Sequence, residues 1–276
     1  MFPLPLPSWR YKVRRAKEHL EALDHAVKWF TETGAYKRRH EFQAEPPKYL
    51  FVVESVSPVP LQIPLMVGDY VGNLRAALDH MWTAVLDHLD LPVTNRTQFP
   101  IFQREPKGKD GLRVWSQQIG GVPGNIETIV KGLQPYKRGK DAVAHPLFYL
   151  NELVRRDKHR ELSLMVVRSS GPVIDGREML VRPPLKRLEP GTVLHEIGQA
   201  EILASGMTDP NVAVNFYDMP EIGFEKPAAV EGLEVVTTLR LVGLEVAKVL
   251  DTLAPFYEPH APYRDWMKKG DATPGF

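Results

Sequence analysis

Residues 65–89 read LMVGDYVGNLRAALDHMWTAVLDHL, and this stretch decides the architecture. At 100° per residue, Val67, Val71, Leu74, Leu78, Met81, Trp82, Val85 and Leu89 fall on one side, which is the spacing of a helix with a core-facing stripe. The other side carries Gly72, Ala76, Ala77 and Ala84 among Asp69, Asn73, His80 and Asp87, and from Ser55 to Phe102 the chain has neither Lys nor Glu. A face bathed in water ordinarily bears such long charged side chains. Small residues beside short polar ones predict instead that a second element packs there, leaving Asp69, Asn73 and His80 largely buried or lining a cavity.

Working outward, Trp9, Val13, Ala16, Leu20, Leu23, Val27 and Phe30 recur at steps of four and three, predicting an amphipathic helix over 8–32 with Ser8 at its cap. Tyr36–Glu45 and Lys48–Val56 read as two strands around Pro46-Pro47. Shorter helices are expected over 126–133 and 146–160. From Glu161 to Pro227 the character changes to β-rich runs, 162–167, 178–182, 193–203 and 212–217, broken by Gly and Pro and expected to form one antiparallel sheet. A final core helix over 232–253 carries Val236, Leu239, Val246, Leu250 and Leu253, and a proline-rich tail follows. Helices first and strands later predict an α+β fold rather than alternating βαβ units. The expected division is a mainly helical part with a small β-hairpin over 1–160 and a β-rich part with the C-terminal helix over 161–276, with one continuous domain as the alternative.

Composition narrows the function classes. The chain of 276 residues has no cysteine, which excludes a disulfide framework, a thiolate zinc site and a cysteine nucleophile together. No run approaches 18 apolar residues, and the short apolar start is broken by prolines and followed by Arg10, Lys12, Arg14 and Arg15, so neither a membrane span nor a signal peptide is expected. The expected location is cytoplasmic. A net charge of +1 conceals an uneven distribution: residues 131–168 hold nine Lys and Arg against four acids, and 189–234 hold nine acids against Lys226 alone. The basic stretch is of a kind that attracts phosphate or nucleic acid, or that faces the acidic segment of the same fold or of a second copy. A small molecule, RNA and a homo-oligomeric partner all stay open.

The polar residues of the central helix form the candidate site. Leu147, Leu150 and Val154 make the inward stripe of the 146–160 helix, and Asp157 follows on the same side, so it is expected to point inward and to need a cation, with Arg75, His80 and Arg160 as candidates. Two readings compete: a structural ion pair at the helix end, or a ligand pocket of Asp69, Asn73, Arg75, Asp79, His80, Asp157 and His159. No metal site is expected among them, because no two of Asp79, His80, Asp157 and His159 have the spacing that brings ligands together on one helix. No cofactor is expected either, for the chain contains no glycine-rich phosphate loop, G-x-S-x-G elbow, H-E-x-x-H or EF-hand loop.

Four strings, GDYVGNLRAALDH at 68–80, TQFPIF at 97–102, LQPY at 133–136 and DKHR at 157–160, resemble the signatures of a family of uncharacterised bacterial proteins that shares them in this order. The likeness covers residues 45–165 and implies kinship without implying an activity. Arg75, separated by four residues from His80, is also similar to the Arg-x(4 to 6)-His motif of HEPN-type helical domains, many of which are metal-independent ribonucleases. That resemblance implies His80 as general base or acid at a ribose hydroxyl or leaving oxygen, and Arg75 as the stabiliser of phosphorane charge. Ala76 stands where that motif has a polar residue, and in an unbroken helix Arg75 and His80 lie about 140° apart.

Overall fold

The computed structural model describes residues 7–167, 185–200 and 220–257. Its longer helices follow the apolar periodicity. Helix α1 spans Ser8–Thr33, strands β1 and β2 span Tyr36–Ala44 and Pro47–Val56, and α2 spans Gln62–His88. Helices α3 (Gly108–Ile119) and α4 (Gly124–Gly132) lead into a 3-10 segment, Pro135–Ala144, and then α5, Pro146–His159. Strands β3 (Ser163–Val167), β4 (Val193–Gly198) and β5 (Glu221–Lys226) precede α6, Val235–Tyr257. The fold is α+β. No helix among the described residues is long and apolar enough to cross a membrane.

Two compact units are assembled from interleaved segments. The helical unit takes residues 7–23, 65–162 and 236–257; the β-bearing unit takes 24–64, the described part of 163–200, and 220–235. The hairpin β1–β2 thus belongs with the later strands, and α6 with the earlier helices. One crossing point, between Leu162 and Ser163, lies beside the change in character read from the sequence.

In the helical unit α2 is the centre. Val67, Tyr70, Val71, Leu74, Ala77, Leu78, Met81, Trp82, Val85 and Leu86 are all fully buried, and neighbours meet the helix on several sides. The Tyr70 hydroxyl donates to the Leu239 carbonyl of α6 at 2.9 Å, and Trp82 Nε1 donates to the Gln118 carbonyl of α3 at 3.1 Å. Helix α1 runs antiparallel alongside: Ser8 meets His80 and His19 meets Asp69, two contacts separated by eleven residues on each helix. Helix α1 therefore lies along the flank of α2 that carries Asp69 and His80. This is the second element implied by the missing Lys and Glu. The cover is partial, since Asp69 and Gly72 stay exposed and Ala76, Ala84 and His80 are half-buried.

Two glycines stand at close approaches between helices. Gly120 caps α3 in the left-handed region at φ 71°, where Leu86 of α2 packs so near that a Cβ would stand 2.7 Å from Leu86 Cδ1. Gly68 lies on α2 where the Asp157 carboxylate of α5 comes against the helix backbone, so that a Cβ there would have to displace it.

In the β-bearing unit, β2 pairs antiparallel with both β1 and β4, so the sheet order is β1-β2-β4, and β3 pairs antiparallel with β5 in a second sheet. The single C-terminal sheet expected from sequence is thereby divided, with β4 joined to the N-terminal hairpin. Met165, Val167 and Leu185 form part of this unit's core. The strands expected over 178–182 and 212–217, and the tail after 257, lie outside the described residues.

Candidate functional site

Every candidate residue sits in the helical unit, and the structure sorts them into separate groups. In the first, Arg75 Nη2 lies 2.8 Å and Nε 3.1 Å from the two carboxylate oxygens of Asp79, one turn along α2, a bidentate pair. The same guanidinium donates to the Phe99 carbonyl at 2.8 Å, and Phe99 N–H donates back to Asp79 at 2.9 Å. Arg75 and Asp79 thus clamp both backbone groups of Phe99, whose ring is fully buried edge-on to Trp82. With its side chain only 11% exposed, the Arg75 cation is turned into the protein.

His80 belongs to a second group. Its Nδ1 lies 3.1 Å from Ser8 Oγ at the start of α1, so Ser8 sits in the first helical turn with its hydroxyl on His80. Arg75 and His80 therefore have different partners on an unbroken helix. The third group gathers where α1, α2 and α5 meet: His19 Nδ1 is 3.8 Å from Asp69, and Asp157 rests against Gly68, next to Asp69. Partial desolvation of the Asp157 carboxyl against α2, and then the charge of Asp69, push its pKa above the usual carboxylate range.

Among the described residues, no hydrogen bond or ion pair joins Asp157 or His159 to Arg75, Asp79 or His80. The inward Asp157 with a cationic partner is thus corrected: the residue is exposed overall, and no cation among the described residues lies within ion-pair distance of its carboxylate. The last turn of α5 carries the residue past the buried end of the Leu147–Val154 stripe. Asp69, expected buried, is 61% exposed at its side chain. Asn73 donates from Nδ2 to the Asp69 carbonyl within its own helix at 2.8 Å. His159 is exposed at the end of α5.

The four sequence strings nevertheless interlock. Arg75 and Asp79 tie the first to Phe99 of the second. Gln134 of the third, 1% exposed, accepts from Phe102 N–H at 3.0 Å and donates to the Pro100 carbonyl at 2.9 Å, while Tyr136 N–H bonds the Phe102 carbonyl. Asp157 of the fourth returns to Gly68 of the first.

Sequence reading missed His19 and the structural part of Gln134, and took Ser8 as a helix cap rather than as the partner of His80, because these partners are distant in the chain. It also missed His145, 4% exposed at the start of α5 and 3.8 Å from Glu245 of α6; its place just before Pro146 is an N-cap signal. A cleft of about 350 Å³ lies in the β-bearing unit, lined by Glu32, Gly34, Tyr36, Arg38 and Pro220 among others, and no candidate residue borders it. Among the described residues, no group of three or more His, Asp and Glu stands close enough to hold a metal ion. No family model, curated protein or solved structure matches the chain.

Proposed function

We propose that this protein binds a small ligand, without catalysis, on the helical unit where α1, α2 and α5 meet, with Asp69 and Asp157 as the ligand-facing groups and His19 beside them. The observation that carries this reading is the unequal use of the polar residues. Arg75 and Asp79 spend their hydrogen bonds on each other and on Phe99, whereas the Asp157 carboxylate has no ion-pair partner among the described residues and is raised in pKa by partial burial and by Asp69. Two carboxylates held close together repel one another, and a positively charged or hydrogen-bond-donating group between them relieves that repulsion. The ligand class is therefore a small molecule bearing an amine or comparable cation. A polyanion such as RNA would meet the wrong sign of charge here.

The test is native mass spectrometry of the protein purified from cells, wild type against Asp69→Asn/Asp157→Asn. A co-purifying cationic small molecule lost in the double variant supports the reading. Cleavage of single-stranded RNA by the wild type, abolished in both Arg75→Ala and His80→Ala, would overturn it in favour of a HEPN-like ribonuclease.

A further inference from the structure

His145 stands at the N-cap of α5, a position where Ser, Thr, Asp or Asn is usual, and it caps in an uncommon way. Its Nδ1 accepts the Leu147 N–H at 3.1 Å, and its carbonyl takes the next two amides, from Phe148 at 2.8 Å and Tyr149 at 3.1 Å. An imidazole nitrogen accepts a hydrogen bond only when it carries no proton, so the ring is neutral with its hydrogen on Nε2. That nitrogen points toward Glu245 of α6, 3.8 Å away.

We infer that His145 is an acid-released cap: it holds the start of α5 only as the neutral ring, and taking up a proton uncaps the helix. Three features resist protonation. An imidazolium has two N–H donors and no acceptor, so the Leu147 amide would face a donor. Its charge would sit at a helix N-terminus, where the partial charge is already positive. The residue is also 4% exposed, which withholds the water a cation needs. The charges nearby are mixed. Glu245 on α6 favours the cation, while Arg138 on the 3-10 segment and Lys248 on α6 oppose it, and Lys248 already pairs with Glu245 at 3.1 Å. Desolvation outweighs the attraction of Glu245, and the ring is held down at about 4.

The experiment follows the ring nitrogens of His145 by NMR in the full chain labelled with ¹⁵N-histidine, together with the Leu147 amide, from neutral pH into acid. The expected result is an Nε2–H ring that stays neutral well below the ordinary histidine range, with the Leu147 amide shifting at the same midpoint as the ring. An Nδ1–H ring at neutral pH, a midpoint near that of an exposed histidine, or a Leu147 amide indifferent to the ring's titration would overturn the inference. A second readout uses His145→Asn, which can cap without titrating. Its melting temperature relative to wild type should rise as the pH falls, and a pH-independent difference would again refute the acid-released cap.

Discussion

The Asp157 carboxylate of α5 rests on the backbone of α2 at Gly68 so closely that a Cβ there would overlap it. This contact ties the end of α5 to the start of the central helix, and it sets two opposed effects at one position. Alanine in a helix interior is favoured over glycine by about 1 kcal/mol, but at position 68 the methyl must displace the carboxylate. Gly68→Ala alone should therefore be neutral or destabilising. In an Asp157→Ala background the same change should stabilise by roughly 0.5–1 kcal/mol. Chemical denaturation of the four proteins of this cycle measures the coupling, and equal effects of Gly68→Ala in both backgrounds would contradict the contact.

Arg75 is expected to matter for stability rather than for chemistry. Removing it leaves the Asp79 carboxylate and the Phe99 carbonyl short of a donor in a part-buried setting, so Arg75→Ala should cost about 2–3 kcal/mol. Arg75→Lys keeps the charge but loses the fork that serves Asp79 and Phe99 together, and should still cost about 1 kcal/mol. A lysine variant as stable as wild type in urea unfolding would show that the bidentate geometry contributes nothing.

Gln134 is the hinge of the second and third strings. It satisfies the Phe102 amide and the Pro100 carbonyl from a site that is 1% exposed. Gln134→Leu keeps the volume and strands both groups, at about 1–3 kcal/mol each. Gln134→Glu preserves the acceptor for Phe102 but sets an acceptor against the Pro100 carbonyl, so it should be destabilising at neutral pH and less so in acid, where the protonated carboxyl regains a donor. Thermal melts of the two variants across pH separate these cases.

Why some of this was legible and some was not follows from the range of each signal. The stripes of α1, α2, α5 and α6 are local records of burial at helical spacing, and Trp9, Ala16, Leu23, Leu74, Leu239 and Leu250 are buried as the period requires. Helix α3 escaped because Gly108 and Gly111 lie in its first turn and only Trp115 and Ile119 of its residues are buried. The joining of β4 to β2 is a long-range pairing with no local trace, so the hairpin and the later strands read as belonging to different parts. Within the candidate site, the Arg75–Asp79 pair could be read from its i, i+4 spacing, but Phe99 could not, because its partners are backbone atoms that look alike in every residue. Asp157 misled because it lies one turn beyond Val154, where α5 has left the core.

The pH dependence of stability should carry Asp157 and His145 with opposite signs. Asp157 has a folded-state pKa raised by desolvation and by Asp69, so the folded state holds its proton more firmly than the unfolded chain, and this carboxylate opposes folding once it is ionised. Its unfavourable contribution is present above the raised pKa and fades as the pH falls through that value toward the ordinary carboxylate range. Asp157→Asn should therefore melt above wild type at neutral pH, by on the order of 1–2 °C for so exposed a group, with the difference closing in acid. His145 is depressed to about 4. The unfolded chain takes up that proton first, at the ordinary imidazole pKa, so the penalty appears as the pH falls below about 6.5 and is complete near 4. Melting curves of wild type, Asp157→Asn and His145→Asn over this range measure both trends, and an Asp157→Asn advantage that widened in acid would reverse the sign assigned to the carboxylate.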